Sequence, residues 1–298
     1  MIPGTGAPGA RGRAVVVTGA SSGIGKAVAF GLAERGFSVY AGVRRAEDAE
    51  ALQAEFTALP ATGGRGSLAP VTLDVTCADH ISAVVEQVTA EAGPTGLAGI
   101  VNNAGIAVAG PMEFIPLEDL RQQLEINVLG KVAFTQAIMP LIRSSTGRLV
   151  FIGSVSGLVS SRLLGSYAAS KFAIEAVADA LRRELEPWKI RVSIIEPGRI
   201  ATPIWKKSVE DAMARLDRMP QEARSNYASV MEDIVKGAEE ATRIGTPPSA
   251  VARAVYRALT DTRPRTRYFV GTDAHIINVL RRVLSDPLFD RLIMATGR

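Results

Sequence analysis

Seven short runs of apolar, largely β-branched residues recur along this chain, separated by longer stretches of helical period. The runs are Ala14–Thr18, Phe37–Val43, Leu68–Leu73, Leu97–Val101, Arg148–Ile152, Arg191–Ile195 and Tyr268–Val270. Helices are predicted between them from about Ile24 to Glu34, Ala46 to Thr57, Ala78 to Glu91, Leu117 to Ile142, and through Tyr167 to Leu185. A strand that is apolar on both faces must be covered on both, as a parallel strand is when helices lie above and below it. The alternation therefore predicts an α/β fold: a doubly wound parallel sheet of about seven strands with helices on both faces. Nothing interrupts it strongly enough to begin a second domain, so residues 13–272 read as one unit. Residues 1–12, rich in Gly, Pro and Ala, are expected to form a disordered lead-in, and 273–298 a C-terminal helical extension.

The first strand runs into a glycine turn, Thr18-Gly19-Ala20-Ser21-Ser22-Gly23-Ile24-Gly25, and a helix follows at once. Glycines in that context let backbone approach a pyrophosphate at a helix N-terminus. The spacing is G-x-x-x-G-x-G rather than the dinucleotide fingerprint G-x-G-x-x-G. Its position between strand and helix favours nucleotide binding over an ordinary turn.

A second constellation follows the fifth strand. Ser154 ends the run Leu149-Val150-Phe151-Ile152-Gly153, and Tyr167 and Lys171 come thirteen and seventeen residues later. Side chains four apart on a helix rise from the same face. A phenol has a reference pKa near 10, and an ammonium one helical turn away favours the phenolate. That moves a phenol toward a working range for acid–base chemistry. A serine hydroxyl supplies a neutral hydrogen bond to an oxygen whose charge changes during reaction. Tyrosine and lysine also fall four apart on many helices with no catalytic purpose, so the triplet gains its meaning from the rest of the chain.

Composition removes several alternatives. One cysteine, Cys77, allows no disulfide framework and suits a reducing cytoplasm, and with only two histidines, His80 and His275, no metal site is expected. No apolar run reaches the length of a membrane span, and the N-terminus lacks a signal-peptide core. The formal net charge is +4, and the segment from Arg263 onward, with seven arginines and three aspartates, carries an equal excess. Without a nucleic-acid motif or interleaved aromatics, that excess does not point to DNA or RNA.

Taken in order, the motifs resemble those of the short-chain dehydrogenases/reductases in their compact, Rossmann-like single-domain form. The likeness covers about Arg13 to Tyr268. It rests on T-G-x-x-x-G-I-G at Thr18–Gly25, Asp74-Val75, Asn102-Asn103-Ala104-Gly105, Asn127, Ser154, Tyr167-x-x-x-Lys171, and Pro197-Gly198 with Thr202. The resemblance implies an oxidoreductase in which Tyr167 exchanges a proton with the carbonyl or alcohol. It implies that Lys171 lowers the phenol's pKa and holds the nicotinamide ribose, and that Ser154 holds the substrate oxygen. Asn127 would fix a helix irregularity and a water leading from Lys171 to solvent. The cofactor site it implies comprises Gly19, Ser21, Ser22, Gly23, Ile24 and Gly25 on the phosphates. Asp74 and Val75 would lie at the adenine, Asn102, Ala104 and Gly105 on the ribose side. Pro197, Gly198, Ile200 and Thr202 would lie near the nicotinamide, with Tyr167 and Lys171 also touching the cofactor.

Strand two ends Gly42-Val43-Arg44-Arg45, with Val43 where an NAD-preferring member would carry an acid. Arg44 suits a 2′-phosphate, so NADP(H) is expected over NAD(H), although Glu47 and Asp48 lie close by. Residues 199–245 contain Trp205, Met213, Leu216, Met219, Tyr227 and Met231 among many charges, the pattern of amphipathic helices folded as a lid. Val108, Met112, Leu158, Val159, Leu163 and Leu164 are apolar around the reaction centre, with Arg162 the one candidate for a substrate carboxylate. This favours a lipophilic ketone or secondary alcohol. A weaker likeness to the 17β-hydroxysteroid and retinol dehydrogenase branch leaves steroid, retinoid and long-chain substrates open. A homodimer or homotetramer is expected by resemblance. The tail, split by Pro287, is expected to pack on the domain or a subunit, with peripheral membrane attachment through Arg281, Arg282 and Arg291 as the alternative. A non-catalytic nucleotide-binding regulator or scaffold of the same fold is the competing function. A sugar epimerase is disfavoured by the turn spacing.

Overall fold

A computed structural model describes residues 13–60, 63–92 and 96–296, so the expected lead-in over 1–12 lies outside the described residues. Seven strands form one sheet, all neighbours parallel: β1 (Ala14–Val17), β2 (Ser38–Val43), β3 (Ser67–Thr72), β4 (Leu97–Asn102), β5 (Arg148–Ile152), β6 (Arg191–Pro197) and β7 (Arg267–Val270). Their order is β3-β2-β1-β4-β5-β6-β7. The chain winds outward from β1 in one direction and from β4 in the other, so a crevice opens between β1 and β4 at the carboxyl ends of the strands.

The helices connecting the early strands are α1 (Gly23–Ala33), α2 (Ala46–Ala58) and α3 (Ala78–Ala92). Between β4 and β5 lie α4 (Leu117–Leu124) and α5 (Gly130–Ser145), and α6 (Gly165–Glu184) joins β5 to β6. Then come α7 (Ile204–Asp217), α8 (Gln221–Ile244) and α9 (Pro248–Thr260), and after β7 the tail forms α10 (Thr272–Val283) and α11 (Asp286–Thr296).

Period-two alternation on β1 divides the core. Val15 and Val17 point into one layer with Val28 and Leu32 of α1 and Val251 and Val255 of α9. Ala14 and Val16 point into the other, with Val84 of α3, Phe134 and Ile138 of α5 and Ile174 of α6. All four β1 residues are buried, which is why the run carries no polar side chain.

The stretch from Leu117 is not one regular helix. Glu125–Leu129 forms a π turn between α4 and α5. Such a turn inserts a residue into the helical ladder and rotates the side chains after it. Pro287 is the second residue of α11, where a missing N–H costs nothing. On α10, Ile276, Val279 and Val283 are exposed on one face. Among the described residues, no helix is long and apolar enough to cross a membrane.

Candidate active site at the divergence of the first and fourth strands

The glycine turn closes on the loop after β4. Gly19 has φ +66°, and a Cβ there would come within 2.8 Å of Ala104 Cα. At Gly25 a Cβ would collide with the Gly19 carbonyl oxygen and Asn103 Nδ2. Asn103 is the clamp: its side-chain amide donates to the carbonyls of Thr18 and Gly19, both at 2.9 Å, while the Thr18 hydroxyl accepts from the backbones of Asn103 and Ala104. The helix α1 that follows has no side-chain cap at Ser22 and no acidic residue in its first turn. Its first N–H groups and dipole therefore remain available to an anion, and Ser21 and Ser22 are exposed beside them. Thr202 packs on this turn, its Cγ2 lying 3.3 Å from where a Gly23 Cβ would be. These features fit the phosphates of a dinucleotide.

At the end of β2, Arg45 pairs with Asp48 at 2.8 Å, which withdraws both from any ligand. Arg44 is exposed and has no hydrogen-bonded partner among the described residues. Asp74, which accepts from Thr76 N–H and Oγ1, is held below the ordinary carboxylate range. Burial works against that shift, and the Thr76 bonds and Arg44 outweigh it. Val75 is buried against Gly130.

The adjacent asparagines have separate surroundings. Asn102 has no exposed surface and its side chain donates to Thr135 Oγ1 at 2.8 Å, so it serves the core. Asn103, absent from the expected site, holds the glycine turn. Gly105 lies against Asn127, while Pro197 and Ile200 are buried at the end of β6 and just beyond.

The π turn places Asn127 inside the protein. Its Oδ1 accepts from Ile106 N–H at 2.9 Å, and its amide donates to Ile106 O at 3.0 Å and Ser170 Oγ at 3.1 Å. Ser170 in turn donates to the Tyr167 carbonyl at 2.7 Å. Asn127 is therefore coupled to the turn of α6 that carries both Tyr167 and Lys171. Gln123, one turn earlier and also fully buried, pins the same loop through Val108 N–H and Ile106 O.

Lys171 Nζ donates to Ile152 O at 3.0 Å and stands 5.4 Å from the centroid of the Tyr167 ring. Tyr167 is partly exposed, whereas Lys171 is buried. Ser154 follows β5, accepts from Ser156 N–H at Oγ and donates its own N–H to Glu196 Oε2 at 3.0 Å. Two further ionisable groups lie behind the site, and neither stood out by motif. Lys131 of α5 is wholly buried and donates to Ile152 O at 3.3 Å. Burial, and then Lys171, hold its ammonium well below the usual lysine range. Glu196 has no exposed surface, and burial, then contact with Glu175, push its carboxyl well above the usual range. The signal for both was a charged residue inside an apolar run.

Helices α7 and α8 cover the loop after β4. Ser208 donates to Ala107 O at 2.9 Å, and Arg215 donates to Ala109 O at 2.9 Å and pairs with Asp119. Leu163, Leu216, Met219 and Met231 form a separate apolar cluster beneath them with Phe114 and Leu164. Met219 and Met231 thus pack, and Arg162 pairs with Asp233 at 3.6 Å. Among the described residues, no group of acids, histidines and cysteines could hold a metal.

Residues 13–213 match the short chain dehydrogenase family. An NADPH-dependent 3-dehydrocapnine reductase of Ornithobacterium rhinotracheale is 33% identical over 94% of this chain and 95% of its own. Retinol dehydrogenase 5 of Mus musculus is 34% identical over 88% of this chain and 82% of its own. In fold, the chain is similar to a short chain dehydrogenase from Burkholderia cenocepacia J2315 solved in complex with NADP, with a TM-score of 0.70 at 24% identity, covering 95% and 98% of the two chains.

Proposed function

The chain belongs to the short-chain dehydrogenase family, and from that premise we propose that it is an NADP(H)-dependent oxidoreductase interconverting a lipophilic ketone and its secondary alcohol. The observation that carries this most directly is the convergence at one crevice of the glycine turn, Ser154, and the Tyr167–Lys171 face braced by Asn127. When bound, the nicotinamide supplies or takes the hydride. In reduction, the Tyr167 hydroxyl gives its proton to the carbonyl oxygen while the Ser154 hydroxyl donates a hydrogen bond to it. Lys171 supplies positive charge beside the ring as the phenol oxygen becomes anionic. Asn127, through Ser170, keeps that turn of α6 in register with the loop after β4.

Arg44, exposed and without a hydrogen-bonded partner among the described residues, is the residue for a 2′-phosphate, and the relative named as NADPH-dependent supports that preference. Residues 199–245 act as the lid, a reading supported by the bonds of α7 to the loop after β4. With Arg162 engaged by Asp233, the surroundings are mainly apolar, which suits a lipophilic substrate. The relatives named as a 3-dehydrocapnine reductase and a retinol dehydrogenase support a carbonyl–alcohol reaction. A cytoplasmic homo-oligomer completes the reading, supported by the single Cys77 and by the exposed face of α10.

The test is cofactor oxidation across a panel of ketones, with NADPH and then NADH. Faster turnover with NADPH on apolar ketones is expected. Turnover on none of them, or only on carboxylated ones, contradicts the substrate class.

A further inference from the structure

Two carboxyl groups meet behind Ser154 with one oxygen each to spare. Glu196 Oε2 is occupied by the Ser154 N–H, and Glu175 Oε2 by the Arg267 guanidinium at 2.9 and 2.6 Å. Glu196 Oε1 and Glu175 Oε1 are both buried and find no donor among the described residues. Both carboxyls border the turn that carries the serine, Glu196 Oε2 beneath Gly153 and Glu175 Cγ 3.2 Å from where a Gly157 Cβ would be, and Glu175 disfavours the charged form of Glu196. Two acceptors cannot bond each other, and a bare buried carboxylate oxygen is costly. One proton between the two Oε1 atoms satisfies both.

We propose that Glu196 is a positioning residue for the reaction, a neutral acid that donates from Oε1 to Glu175 and holds the Ser154 backbone with Oε2. A Cβ on Gly153 would lie 2.8 Å from that same oxygen, so the carboxyl fills the space under the turn that aims the serine. Through Glu175, Arg267 and Asp179 the serine is tied to β7 and the outer side of α6. The charged groups facing Glu196 are Glu175 and Lys171 from α6 and Arg267 from β7. Burial and Glu175 favour the neutral form, and Lys171, the Ser154 bond and Arg267 oppose them. This role rests on reading Ser154 as part of the catalytic site.

Glutamine keeps the shape and both bonds of the neutral acid: a carbonyl for Ser154 N–H and an N–H for Glu175. Glu196→Leu removes both and is expected to lower kcat about tenfold with KM for NADPH unchanged, the pattern of a displaced catalytic group. Glu196→Gln is expected to restore kcat to within about threefold of the parent. Equal losses in both variants would mean that a charge was needed and would overturn the proposal, as would full kcat in Glu196→Leu. Infrared spectroscopy supplies a readout independent of turnover, decisive even if Glu196→Leu does not fold. The wild-type protein is expected to show the C=O band of a protonated, buried carboxylic acid that Glu196→Gln lacks; its absence from the wild type refutes the shared proton. Tyr167→Phe serves as the control: if that variant still turns over, the reading of the site fails, whereas an inactive Tyr167→Phe beside a fully active Glu196→Leu sinks this role alone.

Discussion

Lys131 and Lys171 donate to the same oxygen, the carbonyl of Ile152, from 3.3 and 3.0 Å. Two ammonium groups sharing one acceptor repel, and one gains by losing its proton. Lys131 is the one: it is wholly buried, and its ammonium is disfavoured first by that burial and then by Lys171. The carbonyl at the end of β5 thus takes both lysines, and Lys131 is the one whose charged form is disfavoured.

Lys131 should therefore cost stability. Its folded pKa lies below the ordinary value of 10.5, so the unfolded chain binds a proton that the folded chain does not. Under that condition stability rises with pH toward the unfolded value. Lys131→Met, similar in shape and without charge, is expected to raise Tm by several degrees at about pH 7, with the gain narrowing toward about pH 10. Thermal unfolding across that range checks it. A lower Tm at neutral pH would show that Lys131 is held by a compensating interaction.

Glu196 carries the opposite sign. Its carboxyl is raised above the ordinary 4.5, so its contribution is complete below that value and is lost as pH climbs through the folded pKa. Glu196→Gln does not titrate, and its Tm relative to wild type is expected to rise between about pH 5 and about pH 9. A flat difference would mean that the folded and unfolded carboxyls titrate alike.

Arg44→Ala should separate the two cofactors. Losing a charge-assisted bond to phosphate costs about 2 kcal/mol, or roughly thirtyfold in KM for NADPH. KM for NADH should barely move. Steady-state kinetics with each cofactor decide, and equal losses would place the phosphate elsewhere.

Gly25→Ala tests the turn. Its added methyl has no room between the Gly19 carbonyl and the Asn103 amide, so backbone must shift. Overpacking of this kind costs about 1–3 kcal/mol, and NADPH affinity should fall with stability. Normal Tm and affinity would mean that the turn yields freely.

Most of the fold could be read from the sequence because β1, β4 and β5 are buried on both faces and so carry unbroken apolar runs. The glycine turn was legible because its backbone leaves no room for side chains, whereas the Tyr167–Lys171 spacing gained meaning only from the motifs around it. The π turn was not, since Glu125–Leu129 has the composition of ordinary helix and its register depends on what Asn127 bonds across the fold. Asn103 and Asn102 stand side by side, and only three-dimensional packing assigns one to the glycine turn and the other to Thr135. Lys131 meets Lys171 from α5 and α6, and Glu175 meets Glu196 from α6 and β6, and both meetings depend on sheet order rather than on any local pattern.

The account stands on Tyr167 as the group that moves the proton. The most direct measurement is NADPH-dependent ketone reduction by Tyr167→Phe, alongside NADPH binding followed by fluorescence titration. The phenyl ring keeps the packing and loses the hydroxyl, so turnover should fall by about a thousandfold or more, while NADPH affinity stays within about threefold of wild type. Turnover near the wild-type rate in a variant that binds NADPH normally would contradict the account.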